Sequence, residues 1–329
     1  MNMKKLGNSD LEITALGLGT WAIGGGGWEF SWGSQDDRDS VAVIVRALEL
    51  GINWIDTAPV YGLGHSEEIV GSAIKEYGEK PIVATKCGLT WDAGRNILRN
   101  LKKDSVRAEV EASLKRLQLD VIDLYQIHWP DPDENIEEAW EAVAALVQEG
   151  KIRYAGVCNF NVEQLRRAQK IHPVTSLQPP YSMLERDIEK KILPFCEANN
   201  IGVVAYSPMQ KGILTDKFTR HFVKSLPEDD HRIALDPNFR EPRLSANLEL
   251  VDALRGLAAT RNVKVAQLAV AWILRRPEVT AAIVGARRTS QIEETIRAVD
   301  CIISESKQDL DLIEMLLDKN QQNGKANNK

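Results

Sequence analysis

Along this chain, short unbroken apolar runs alternate with longer stretches whose apolar positions recur every three or four residues. Runs rich in Val and Ile and bounded by Gly, Pro or Asn read as strands covered on both faces. The 3.6-residue repeats read as helices packed over them. The strands so predicted end near Thr20, Asp56, Lys86, His128, Asn159, Gln178, Tyr206 and Gly285. Helices are predicted over residues 36–50, 66–77, 105–117, 136–149, 162–171, 188–199, 248–261, 265–275 and 290–299. In the first of them Val41, Ile44, Val45 and Leu48 share one face and Gly51 stops the helix. Eight βα repeats close most naturally into a single (β/α)8 barrel of the TIM type, an α/β fold; a doubly wound open sheet is the alternative. A β-hairpin over residues 4–14, turning at Gly7, Asn8 and Ser9, precedes the barrel and is expected to plug one end of it. An amphipathic C-terminal helix over residues 308–317 follows. Residues 95–103 and 209–247 read as connections and QQNGKANNK as frayed, so the barrel domain is assigned to residues 1–318 and a disordered tail to 319–329.

A barrel gathers its strand ends at one face, and here those ends carry chemistry. Asp56 is a bare carboxylate at the end of its strand, and Lys86 and His128 each close an apolar run, where charge is disfavoured unless it is paired or used. Tyr61 stands five residues beyond Asp56 on a loop with Gly62 and Gly64. Singly, each has a plain reading as a turn residue, a half-buried aromatic, a solvated lysine or a structural histidine. Together they make a proton-donating centre. Asp56 keeps Lys86 as the ammonium, and the ammonium is expected to lower the pKa of Tyr61, which then acts as general acid toward a carbonyl oxygen. His128 adds a second hydrogen bond to that oxygen. Asn159 and Gln178 are amides suited to a carboxamide, and Tyr206 is suited to a flat ring. The segment GARRTSQIEET joins a strand end to a helix start, with Arg287 and Arg288 just ahead, a combination that suits phosphate.

Other chemistries lack their motifs. There is no GxSxG nucleophile, and the five histidines show no HExxH or similar spacing, so no metal site is expected. Gly17, Gly19 and Ala22 spell GxGxxA, but four glycines follow where a dinucleotide fingerprint would open a helix, so a Rossmann reading is rejected. With 329 residues, 43% of them hydrophobic, the chain can bury a barrel-sized core. A net charge of -6 argues against nucleic acid as a partner, and no apolar run suits a membrane. Four cysteines far apart in sequence and an N-terminus without an apolar leader segment point to a reduced, cytoplasmic protein.

The motifs GLGTW, GINWIDTAPVYG with GxSEExxG, VATK, DLYQIHWPD, GKIRYAGVCNF, LQPPYS, VVAYSPMQKGILT and IVGARRTSQIEET occur in this order. In them the chain resembles the aldo-keto reductase superfamily over nearly its whole length. It looks like the bacterial branch of general-stress and inositol-related reductases, and it is similar to the potassium-channel β subunits. The resemblance implies a catalytic tetrad of Asp56, Tyr61, Lys86 and His128, with Tyr61 as proton donor while a nicotinamide supplies hydride. It implies cofactor contacts at Thr20, Trp21, Asp56, Asn159, Gln178, Tyr206, Ser207, Pro208, Met209, Lys211, Gly212, Gly285, Arg287, Gln291 and Glu294. Tyr206 would stack on the nicotinamide, and Arg287 with Gln291 would face a 2′-phosphate, which favours NADPH (NADP+) over NADH. Two positions depart from the pattern: Cys158 stands where Ser is usual, and Thr295 where Asn is often found. The activity implied is NADPH-dependent reduction of small aldehydes or ketones to alcohols. The alternative is a cofactor-bound sensor or regulatory subunit with little turnover. The substrate side is expected to be shaped by residues 24–32, Trp129, the 209–247 connection and Trp21 at the pocket floor. Substrate identity and oligomeric state stay open.

Overall fold

A computed structural model describes residues 1–227, 230–301 and 306–326. Eight parallel strands form a closed barrel: β1 (Leu16–Gly19), β2 (Trp54–Asp56), β3 (Ile82–Cys87), β4 (Ile122–Ile127), β5 (Ile152–Cys158), β6 (Ser176–Gln178), β7 (Gly202–Ala205) and β8 (Val279–Gly285). They follow one another around the barrel in chain order, and Ala282 to Gly285 of β8 pair with Leu16 to Gly19 of β1 to close it. The first six strands are each followed by a helix: α1 (Asp37–Glu49), α2 (His65–Tyr77), α3 (Lys103–Leu117), α4 (Ile136–Gln148), α5 (Val162–Gln169) and α6 (Ile188–Ala198).

Strand side chains alternate between two apolar layers, as a period of two requires. Ile55, Val83, Tyr125, Ile127, Val203 and Val284 face the helices and build the large outer core. Trp54, Ala84, Leu124, Val204, Ala281 and Ile283 point into the barrel, where they meet Leu6, Leu11 and Ile13 of the N-terminal hairpin. The hairpin, Met3–Lys5 against Glu12–Thr14, therefore does plug one end. Gly17 makes room for this filling, since a Cβ there would come within 2.1 Å of the Trp54 ring. The same alternation decides where the chemistry sits. One step of two beyond Trp54, Ala84 and Leu124 come Asp56, Lys86 and Gln126, so these polar side chains form the next layer inside the barrel.

Three segments differ from the sequence-based expectation. Within the 89–103 region a small antiparallel hairpin forms, Leu89–Trp91 against Ile97–Arg99, and Leu89 buries against Trp28, Ala58 and Val60. The 209–247 connection contains short helices at Arg220–Lys224 and His231–Leu235, and the helix expected from 248 starts earlier, as Arg243–Thr260. The last helix runs Lys307–Ala326, so residues 319–326, read as tail, are helical; residues 327–329 lie outside the described residues.

Candidate active site at the barrel mouth

The polar layer is built around one carboxylate. Lys86 Nζ donates to Asp56 Oδ1 at 2.6 Å and to the Thr57 carbonyl at 2.8 Å, with Lys86 0% and Asp56 2% exposed. The other oxygen, Oδ2, accepts from Gln178 Nε2 at 2.8 Å and from Gln126 Nε2 at 3.3 Å. A carboxylate only accepts, so both amides must turn their nitrogens toward it. Gln126 Oε1 in turn takes the Cys158 thiol at 3.8 Å. Gln126 was not anticipated, although its place two residues before His128 on the same strand face was available as a signal.

Tyr61 sits above this layer. Its backbone closes a turn onto Ala58, and the turn is pressed against the glycine loop, where a Cβ on Gly62 would come within 2.0 Å of the Gly24 carbonyl oxygen. The Lys86 ammonium lies 5.1 Å from the Tyr61 ring centroid, and the His128 ring stands nearly perpendicular to it at 5.8 Å. Asp56, Tyr61, Lys86 and His128 thus share one site. By surface Tyr61 is half-buried, but its hydroxyl lies among densely packed atoms. Burial pushes this phenol up to about 12, against the pull of Lys86. The expected lowering is therefore corrected: desolvation of the phenolate outweighs the nearby ammonium. Burial also opposes charge on Lys86, yet Asp56 and Tyr61 hold it well above the ordinary lysine value. Burial and the Lys86 charge hold His128 well below the ordinary histidine value, as a neutral imidazole, and its buried Nδ1 has no partner among the described residues. The arrangement is a neutral phenol flanked by a fixed cation and a neutral histidine, able to release a proton and to stabilise the anion left behind.

The remaining expected positions spread along the rim. Asn159 adopts a left-handed φ of 63°, its Nδ2 donating to the His128 carbonyl at 3.0 Å while its Oδ1 accepts from the Tyr206 hydroxyl at 3.0 Å. Among the described residues one side-chain N–H of Asn159 has no acceptor and Gln178 Oε1 accepts nothing. Thr20 is fully buried: its hydroxyl donates to the Asp56 carbonyl and accepts from Ser66, so its side chain serves the scaffold. Trp21 stacks toward Tyr61 at 6.4 Å and touches buried His231 at 4.9 Å, a contact from the long connection that sequence reasoning did not foresee. Trp129 is 39% exposed at the edge. Beyond β7, Ser207 and Lys211 are left-handed, Gly212 has φ 96°, Pro208 is buried and Met209 half-buried. Lys211 pairs with Asp236 at 2.9 Å. Gly285 is exposed at the end of β8; Gln291 Oε1 accepts the Arg287 and Arg288 backbone N–H groups, and exposed Glu294 gives its carbonyl to Gln267.

On the helix side of β3, a second polar group anchors the strand that carries Lys86. Thr85 donates to Glu67 Oε1 at 2.6 Å, Arg116 donates to Glu67 Oε2 at 2.7 Å, and the Gly88 N–H and Ser105 hydroxyl donate to Glu109. Glu109, 8% exposed, is raised from 4.5 to about 7, chiefly by burial. A carboxyl raised on folding binds its proton more tightly in the native state, so its protonated form stabilises the fold below pH 4.5 and that stability is lost as pH rises through about 7. Glu109→Gln keeps an acceptor for Gly88 without the charge. Relative to wild type it is expected to gain up to ~3 kcal/mol between pH 4.5 and pH 8 in urea unfolding, and an unchanged difference across that range would contradict the assignment.

Residues 15–317 match the model of the Aldo/keto reductase family. The aldo-keto reductase YhdN of Bacillus subtilis is 44% identical over 296 residues, covering 89% of this chain and 87% of that protein. An Escherichia coli NADH-specific methylglyoxal reductase is 35% identical over 320 residues, with 92% and 96% covered. Among solved structures, the glycerol dehydrogenase AKR11B4 of Gluconobacter oxydans superimposes with a TM-score of 0.84 at 39% identity, covering 100% of this chain and 97% of that one.

Proposed function

The chain belongs to the aldo/keto reductase family of carbonyl-acting oxidoreductases, and from that premise we propose that it reduces small aldehydes or ketones with NADPH, Tyr61 giving the proton. The observation that carries this reading is the buried Asp56–Lys86 pair, 2.6 Å apart, beneath a neutral Tyr61 with neutral His128 beside it.

The groups left unpaired at the rim fit a nicotinamide cofactor. Asn159 keeps one donor and Gln178 one acceptor, a complementary pair for a carboxamide. Gly285, Arg287, Gln291 and Glu294 would hold the adenosine side, Lys211, Gly212, Ser207, Pro208 and Met209 the phosphates, and Tyr206 the flat ring, with Trp21 and Asp56 beneath; Thr20, fully buried, stays part of the scaffold rather than a cofactor contact. When bound, the cofactor supplies hydride to the carbonyl carbon. Tyr61 and His128 donate hydrogen bonds to the carbonyl oxygen, and as charge grows there the Tyr61 proton crosses to it. Burial keeps the phenol protonated before reaction, and transfer from so weak an acid depends on the Lys86 ammonium stabilising the phenolate that forms. The Lys86 ammonium then faces the phenolate, and Asp56, braced by Gln126 and Gln178, keeps that ammonium fixed without reorganisation.

The test is a panel of small carbonyls with each reduced cofactor, followed by loss of nicotinamide absorbance. Uniformly negligible rates alongside tight cofactor binding would replace this reading with a regulatory one. The NADH-specific relative makes NADH the second candidate. Arg287→Ala is expected to weaken NADPH binding about 10- to 100-fold, the range for losing charge-assisted hydrogen bonds, with NADH changed less than about twofold. Equal losses for both cofactors in fluorescence titration would exclude Arg287 as the phosphate contact.

A further inference from the structure

Arg287 does not hang free at the rim. Its Nε donates to Gln35 Oε1 at 2.7 Å, its Nη1 to the Trp32 carbonyl at 2.9 Å, and its Nη2 to the Ser34 carbonyl. Gln35 also returns a bond, its Nε2 donating to the Arg287 carbonyl at 3.0 Å. One amide thus grips both the side chain and the backbone of an arginine 252 residues away. A guanidinium carries five N–H groups, so three are spent on the 32–35 loop and two remain. All three acceptors are neutral, and among the described residues no carboxylate pairs with Arg287 or Arg288. Neither arginine is therefore in a direct ion pair among the described residues, Asp230 acting on Arg287 only at longer range, and the half-buried Arg287 is already held in a single orientation.

We propose that Gln35 determines discrimination between phosphorylated and unphosphorylated nicotinamide cofactors, by holding the Arg287 guanidinium in place with two donors turned to a phosphate monoester. This rests on the reading of Arg287 as the phosphate contact. Gln35 is a positioning residue: it acts through Arg287, prepaying the entropy of ordering a long side chain. A phosphate dianion then completes the shell that the loop leaves open.

The experiment measures dissociation constants for NADPH and NADH, with kcat on one aldehyde at saturating cofactor, for wild type, Gln35→Leu, Gln35→Glu and Arg287→Ala. Gln35→Leu is expected to weaken NADPH roughly 3- to 10-fold, the range for ordering one such side chain, with NADH and saturated kcat unchanged. Gln35→Glu preserves shape but supplies the missing carboxylate, and it is expected to weaken NADPH at least about tenfold through charge repulsion, again sparing NADH. In the Arg287→Ala background the Gln35→Leu effect should vanish. If Arg287→Ala lowers the NADPH preference and both Gln35 variants leave it untouched, the inference fails alone. Should wild type show no preference, or Arg287→Ala not alter it, the cofactor reading falls and takes the inference with it. Equal weakening of both cofactors by Gln35→Glu would mark a general structural role and also overturn the proposal.

Discussion

Tyr61→Phe is expected to lower kcat for a simple aldehyde roughly a thousandfold, within the 10²- to 10⁴-fold that a positioned general acid contributes, while cofactor still quenches tryptophan fluorescence with near wild-type affinity. The substitution removes one oxygen and little else. The ring keeps its place against Trp21, Trp28 and His128, and the turn onto Ala58 is made by backbone. His128 cannot take over, because burial and the Lys86 charge hold it neutral and its own N–H is a far weaker acid than an imidazolium. Residual turnover would therefore come from hydrogen bonding and proximity alone. Wild-type kcat in a folded Tyr61→Phe protein would remove Tyr61 from the role proposed for it.

Lys86→Met is expected to damage both activity and stability. Methionine fills much of the lysine's volume, but it leaves the Asp56 carboxylate in a nearly closed interior with Gln126 and Gln178 as its remaining side-chain donors among the described residues. Breaking a buried pair on one side costs about 3–5 kcal/mol, since the surviving charge has no counter-ion. Pairing the change with Asp56→Asn removes that charge, and the double variant is expected to recover most of the lost stability in urea unfolding. It should not recover turnover, because no cation then faces the Tyr61 oxygen. A double variant as unstable as Lys86→Met would mean that the carboxylate is not the source of the cost. Recovered kcat would mean that the ammonium is dispensable.

Both expectations depend on a site whose strand-borne members stand out in the amino-acid sequence for one physical reason, with Tyr61 found through its nearness to Asp56. Asp56, Lys86 and His128 interrupt apolar strands where charge is costly, so they are visible without coordinates. The eight strands are visible too, because a strand covered on both faces reads as an unbroken apolar run. The Leu89–Trp91 and Ile97–Arg99 strands escaped because each is three residues long with mixed polarity and a largely exposed second arm. Gln126 escaped because a neutral amide inside an apolar run looks like a tolerated substitution until strand parity turns it toward Asp56. Gln35 escaped because its partner is 252 positions away. The Tyr61 acidity was misjudged in sign for a related reason: neighbouring charges can be guessed from a motif, but the depth at which a hydroxyl is packed cannot.

The hairpin and Trp54 stopper the far end of the barrel beneath the polar layer. Among the described residues the barrel is therefore a cup closed at that end. Whatever reaches the polar layer is expected to come and go by the opposite mouth, where the aromatic loop and the long connection meet over Trp21.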